Sequence, residues 1–99
     1  MSAGFDAHRD DPLADLQLTS GDYADLAVLV AGLAPTPGRL VLFLEGGYDL
    51  PALRHSVAAT LSALVGGDVR PEPRSSGGPG TGVVDAVRSA HDRVMKEAP

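Results

Sequence analysis

Residues 2–13 read SAGFDAHRDDPL, with Asp6, His8, Arg9, Asp10 and Asp11 crowded ahead of Pro12. Two chemistries suit such a run. Asp-x-His in extended chain projects both side chains to one face, which is workable geometry for a metal. A carboxylate just after a strand also caps turns by accepting backbone N–H groups. The chain has no cysteine, so disulfides and thiolate sites are excluded, and a metal would be held by histidine and carboxylate. A second group is GGYD at residues 46–49. Gly46 and Gly47 lack the further glycines and the lysine of a phosphate-binding loop. Glu45 has the chemistry of a general base, but at a strand end a solvated or paired carboxylate is the expectation. His55 and His91 fall within predicted helices and are expected to face solvent or pack against neighbours.

Composition limits what these residues can serve. At 99 residues the chain holds at most one domain with a small core. Hydrophobic residues make up 43% and charged residues 21%, as in an ordinary soluble domain. The net charge of -5 opposes nucleic-acid binding, which needs a basic surface to displace counterions from phosphate. No apolar run has the length of a bilayer span, and the first residues lack a signal-peptide pattern, so no membrane partner and a cytoplasmic location are expected.

Positioning the charged cluster falls to a short series of elements. Residues 1–5 (MSAGF) read as the end of a strand, stopped by the cluster and Pro12. From Thr19, TSGDYADLAVLVAGLA places a capping oxygen ahead of Asp22, whose charge suits a helix's first turn. Tyr23, Leu26, Leu29, Val30 and Leu33 recur at helical spacing and predict the buried face. Residues 40–44 form an unbroken apolar run of the kind buried on both faces of a parallel sheet. Residues 50–65 predict a helix with Asp49 as cap, Pro51 in the first turn, Leu50, Leu53, Val57, Leu61 and Leu64 on one face, and Gly66 as the stop. Residues 67–82 are rich in Gly, Pro and Ser and predict a flexible linker, and residues 83–97 a short helix. Strand, helix, strand, helix predicts a right-handed parallel βαβ unit. Both strands then run the same way, and the residues just past their ends share one ligand-binding edge. Asp6 comes after the first strand; Gly46, Gly47 and Tyr48 come after the second.

SAGFDAHRDDPL, a capped helix, LVLFLEGGYDL and the helix carrying SVAATLSAL together resemble the C-terminal part of the zinc-dependent histone deacetylase and acetylpolyamine amidohydrolase family, bacterial and class II members above all. The resemblance covers residues 2 to about 65. It implies an α/β fold, the C-terminal piece of a parallel-sheet, arginase/deacetylase-type three-layer architecture over residues 1–66, followed by the linker and the C-terminal helix. It implies that Asp6 is a zinc ligand and that Tyr48 donates a hydrogen bond to the substrate's acetyl carbonyl. A phenol stays protonated at neutral pH and suits that task. Gly46 and Gly47 would let backbone approach the acyl chain. The family takes its Asp-x-His pair from an upstream segment, so His8 is expected to pack at the rim or behind the ligands. Asp10 and Asp11 are expected to shape the turn, with Asp11 also bracing the site. The implied substrates are acetyl-lysine in proteins or acetylpolyamines.

The resemblance also implies parts that this sequence does not contain: the tandem histidines of the general acid and base, and the Asp-x-His ligand pair. One aspartate does not hold zinc usefully, since affinity needs several preplaced ligands. A truncated product, a misplaced start or a split deacetylase is therefore expected, with the N-terminal portion as partner and the chain alone inactive. The alternative is a non-catalytic remnant or an interaction module.

Overall fold

The computed structural model describes residues 1–98. Strand β1 (Ser2–Gly4) is followed by helix α1 (Ser20–Ala31), strand β2 (Phe43–Gly46), helix α2 (Leu50–Leu64) and helix α3 (Thr81–Glu97). The two strands pair in parallel with Ser2 opposite Phe43, Ala3 opposite Leu44 and Gly4 opposite Gly46, with an irregularity between Ala3 and Gly4. This is the expected order, and both strands end at the same edge. Among the described residues no helix is long and apolar enough to cross a membrane.

The helix starts follow local chemistry. Thr19 caps α1, and its backbone N–H donates to the carboxylate of Asp22 at 2.8 Å. Asp49 caps α2, accepting from the N–H of Ala52 at 3.0 Å, with Pro51 in the first turn where it has no helical N–H to lose. The strand is displaced from its expected place. Of residues 40–44 only Phe43 and Leu44 are in it; pairing with the three residues of β1 selects Phe43–Gly46. Nor is it buried on both faces, since Phe43 and Leu44 are exposed.

The helical faces also depart from expectation. In α1 the buried residues are Ser20, Gly21, Tyr23, Ala24 and Ala27, whereas Leu26, Leu29 and Leu33 are exposed. In α2 they are Ala52, Ser56, Ala59 and Thr60, with Leu50 and Leu61 outside. The two helices pack on each other, and small residues at the contact allow a close approach that leucines would prevent. Ala3 and Phe5, two residues apart in extended chain, share a face and form the core with Tyr23, joined by Leu42, Leu53 and Val57. Phe5 and Tyr23 meet edge to face at 4.9 Å between ring centroids.

The stretch expected to be a flexible linker is two different things. Residues 68–75 are hydrogen-bonded along the start of α1, through Arg70, Glu72, Arg74 and Ser75. Beyond them α3 has no buried residue and packs on no other described element. The described residues thus make a small α/β piece of three helices and a two-stranded parallel sheet.

Candidate active site

The carboxyl edge of the sheet is made by two loops, residues 5–11 after β1 and residues 47–49 after β2. Phe5 donates its N–H to the carbonyl of Gly46 at 2.8 Å, which sets the loops side by side. Asp6 lies on this junction. A Cβ added at Gly46 would stand 3.0 Å from its Oδ1 and 3.2 Å from its Cγ, so the carboxylate rests close against Gly46 and would have to shift by a few tenths of an ångström for a larger residue. Gly47 has φ of 128°, and a Cβ there would meet Phe5 and Leu53 at 3.1 and 3.0 Å. That conformation and that closeness both select glycine.

Asp6 differs from its neighbours in what it is left to do. Asp11, Asp22 and Asp49 spend their carboxylates on backbone N–H groups. Among the described residues Asp6 enters no such bond, so its oxygens stay available.

Asp11 is the brace between the loops. Its Oδ1 accepts from the N–H groups of Leu13 and Ala14 at 2.8 and 3.3 Å, closing the turn around Pro12. Its Oδ2 accepts from the backbone N–H of Tyr48 at 2.9 Å. Burial of the carboxyl opposes ionisation, but the bonds from Leu13, Tyr48 and Ala14 outweigh it and hold Asp11 below the usual aspartate range. Tyr48 is thereby fixed by its main chain, while its side chain, 59% exposed, projects from the edge.

His8 is not at the rim. It is 1% exposed, and the backbone N–H of Asp10 donates to its Nδ1 at 3.0 Å. The ring proton therefore sits on Nε2, which donates to Glu72 Oε1 at 2.7 Å. His8, Asp10 and Glu72 bring three potential ligand atoms within 4.8 Å of one another. Both ring nitrogens are already engaged, so the cluster reads as a hydrogen-bonded knot rather than a cation site. Sequence reasoning missed Glu72 altogether. His91 is not drawn to this edge: it faces Asp92 at 3.6 Å on α3. A concavity of about 460 Å³ is lined by Ala31, Pro35, Leu40 and Leu64 among others, none of them ionisable, and takes no part in the edge.

As a zinc site the edge fits in part. Asp6 is a free carboxylate of the type zinc takes, seated where the fold has cleared space for it. A full ligand set is not found around it among the described residues.

The parallel α/β edge thus carries a free aspartate after one strand and a tyrosine after a double glycine. The histone deacetylase domain model matches residues 1–64. Histone deacetylase 14, chloroplastic, of Arabidopsis thaliana is 51% identical over 70 residues, which cover 69% of this chain and 16% of that protein. Polyamine deacetylase HDAC10 of Homo sapiens is 38% identical over 92 residues, covering 91% of the chain and 13% of that protein. A probable deacetylase of Methanothermobacter thermautotrophicus is 39% identical over 80 residues, 79% of the chain and 23% of that protein. This chain belongs to the histone deacetylase family. It spans less than a quarter of the length of each of these relatives.

Proposed function

We propose that this chain supplies one edge of a zinc-dependent deacetylase active site that hydrolyses the acetyl-amide bond of acetyl-lysine or of an acetylpolyamine. The observation that carries the proposal is the pairing of a free Asp6, seated against Gly46, with a Tyr48 whose main chain is anchored by Asp11. Asp6 would hold the metal together with ligands from outside the described residues. When bound, zinc would polarise the acetyl carbonyl and acidify a water molecule. Tyr48 donates its hydroxyl hydrogen to the carbonyl oxygen as negative charge builds there. Gly46 and Gly47 keep the wall beside the acyl group free of side chains. Asp11 holds the Tyr48 main chain, which fixes the point from which the side chain reaches the reacting oxygen.

The test compares the purified chain with a hybrid in which residues 1–75 replace the matching segment of the archaeal relative. The reading expects zinc at one equivalent and turnover of an acetyl-lysine peptide or an acetylpolyamine in the hybrid, and neither in the chain alone. A folded hybrid with zinc but no turnover on either substrate would contradict the reading. Stoichiometric zinc in the chain alone would show that the ligand set is other than the one proposed.

A further inference from the structure

Residues 68–75 lie beyond the matched residues 1–64, yet they are bound into the fold at its most buried polar point. Glu72 uses both oxygens: Oε1 accepts from His8 Nε2 at 2.7 Å and from the N–H of Ser20 at 3.0 Å, and Oε2 accepts from Arg9 Nη2 at 2.9 Å. Ser20 is the first residue of α1, so the carboxylate also lies at the positive end of that helix. The contact is reciprocal, since the N–H of Glu72 donates to Ser20 Oγ at 3.0 Å. On either side the segment is fastened again. Thr19 Oγ1 donates to the carbonyl of Pro73 at 2.6 Å, the N–H of Ser75 donates to Asp22 at 3.0 Å, and Arg70 and Arg74 pair with Asp25 at 2.8 and 3.1 Å. Gly21 records the closeness: a Cβ there would lie 2.6 Å from the backbone nitrogen of Arg74 and 2.7 Å from the carbonyl oxygen of Glu72.

What Glu72 grips is the loop that carries Asp6. His8 and Arg9 are two and three residues past it, and the same loop pairs with Leu18, the N–H of Arg9 donating to the Leu18 carbonyl at 2.8 Å and the N–H of Leu18 to the Ala7 carbonyl at 3.0 Å. We propose that residues 68–75 form a strap and that Glu72 is a positioning residue, holding the His8–Arg9 turn and through it the carboxylate of Asp6 at the sheet edge. The proposal rests on the reading of Asp6 as a metal ligand. It extends the site-building part of the chain past the matched domain, because a carboxylate 64 residues away in sequence completes the loop. Both ring nitrogens of His8 are satisfied only when the strap is down.

The experiment has two arms. In the 99-residue chain, Glu72→Ala is compared with the parent by the ¹⁵N signals of the His8 ring and by amide exchange at Arg9 and Leu18. Removing the acceptor should move the Nε2 signal and speed exchange at both amides about tenfold or more. Gly21→Val, which pushes the strap's backbone away while leaving the Glu72 carboxylate chemically intact, should do the same. Ala59→Gly, a destabilising change in α2, should lower Tm and leave the His8 signals alone. In the hybrid, zinc dissociation should be about tenfold faster for Glu72→Ala, with Glu72→Gln in between because it keeps one acceptor oxygen. Unchanged ring signals and exchange overturn the inference, as do altered signals with unchanged zinc dissociation. If Asp6→Ala leaves the hybrid's zinc intact, the metal-ligand reading fails instead, and the first arm still decides whether the strap holds the loop.

Discussion

The two loops at the carboxyl edge of the sheet are held by different means. The loop after β1 has main-chain bonds to Leu18 and is gripped through its side chains as well: His8 is buried on Glu72, Arg9 reaches the same carboxylate, and Asp11 closes the turn on Leu13 and Ala14. The loop after β2 is gripped through its main chain, by the Phe5 N–H on the Gly46 carbonyl and the Tyr48 N–H on Asp11. The first arrangement leaves one carboxylate, Asp6, free on a rigid base. The second leaves one phenol free on an anchored backbone. A metal ligand needs fixed position, and a donor to a reacting oxygen needs fixed origin with a side chain that projects. The edge provides one of each.

Breaking the link between the loops is the sharpest way to probe that division. Asp11→Ala removes the acceptor for the Tyr48 N–H, and in the hybrid turnover should fall about tenfold with zinc content unchanged. Asp11→Asn keeps an acceptor oxygen and should fall less. Equal losses of zinc and turnover would mean that the two loops are not held separately. A smaller effect is expected from Gly46→Ala. The added Cβ would stand 3.0 Å from Asp6 Oδ1, so the carboxylate must shift by a few tenths of an ångström, and zinc should bind several-fold more weakly with Tyr48 unaffected. If zinc binding is unchanged and turnover alone falls, Gly46 serves the acyl group rather than Asp6.

The smallest effect is one of pH. Burial opposes ionisation of Glu72, yet the bonds from His8 and Ser20 dominate and bring its pKa to about 2, below the ordinary 4.5. A depressed folded-state pKa contributes stability that is fully present above 4.5 and is lost as pH falls toward about 2. Amide exchange at Arg9 and Leu18 should therefore gain an acid-dependent component across that window, and Glu72→Gln should remove it. The Tyr48 amide in the loop after β2 is held by Asp11, whose pKa is also lowered, so it should show an acid-dependent component of its own, one that Glu72→Gln leaves in place.

Much of this was legible in the sequence wherever the cause is local. Thr19, Asp49 and Pro51 mark the helix starts because caps act within one turn, and the strand–helix–strand–helix order places Asp6 and Tyr48 at one edge. What depends on partners far along the chain was not legible. Spacing marked Tyr23, Leu26, Leu29, Val30 and Leu33 as the inner face; of these only Tyr23 is buried, alongside the small residues Ala24 and Ala27. The strand shifts from residues 40–44 to Phe43–Gly46 because register is set by β1. Glu72 sits between two prolines in a stretch that reads as linker, and no periodicity connects it with His8. Only the fold brings them to 2.7 Å.

Zinc content and deacetylase turnover, measured together in the Asp6→Ala and Tyr48→Phe variants of the hybrid, separate the two roles. The account predicts that Asp6→Ala loses zinc and activity together. It predicts that Tyr48→Phe keeps a full equivalent of zinc while turnover drops by about a hundredfold or more, since one donor to the oxyanion has been deleted. Full zinc in Asp6→Ala, or unchanged turnover in Tyr48→Phe, would contradict the roles assigned to these two residues.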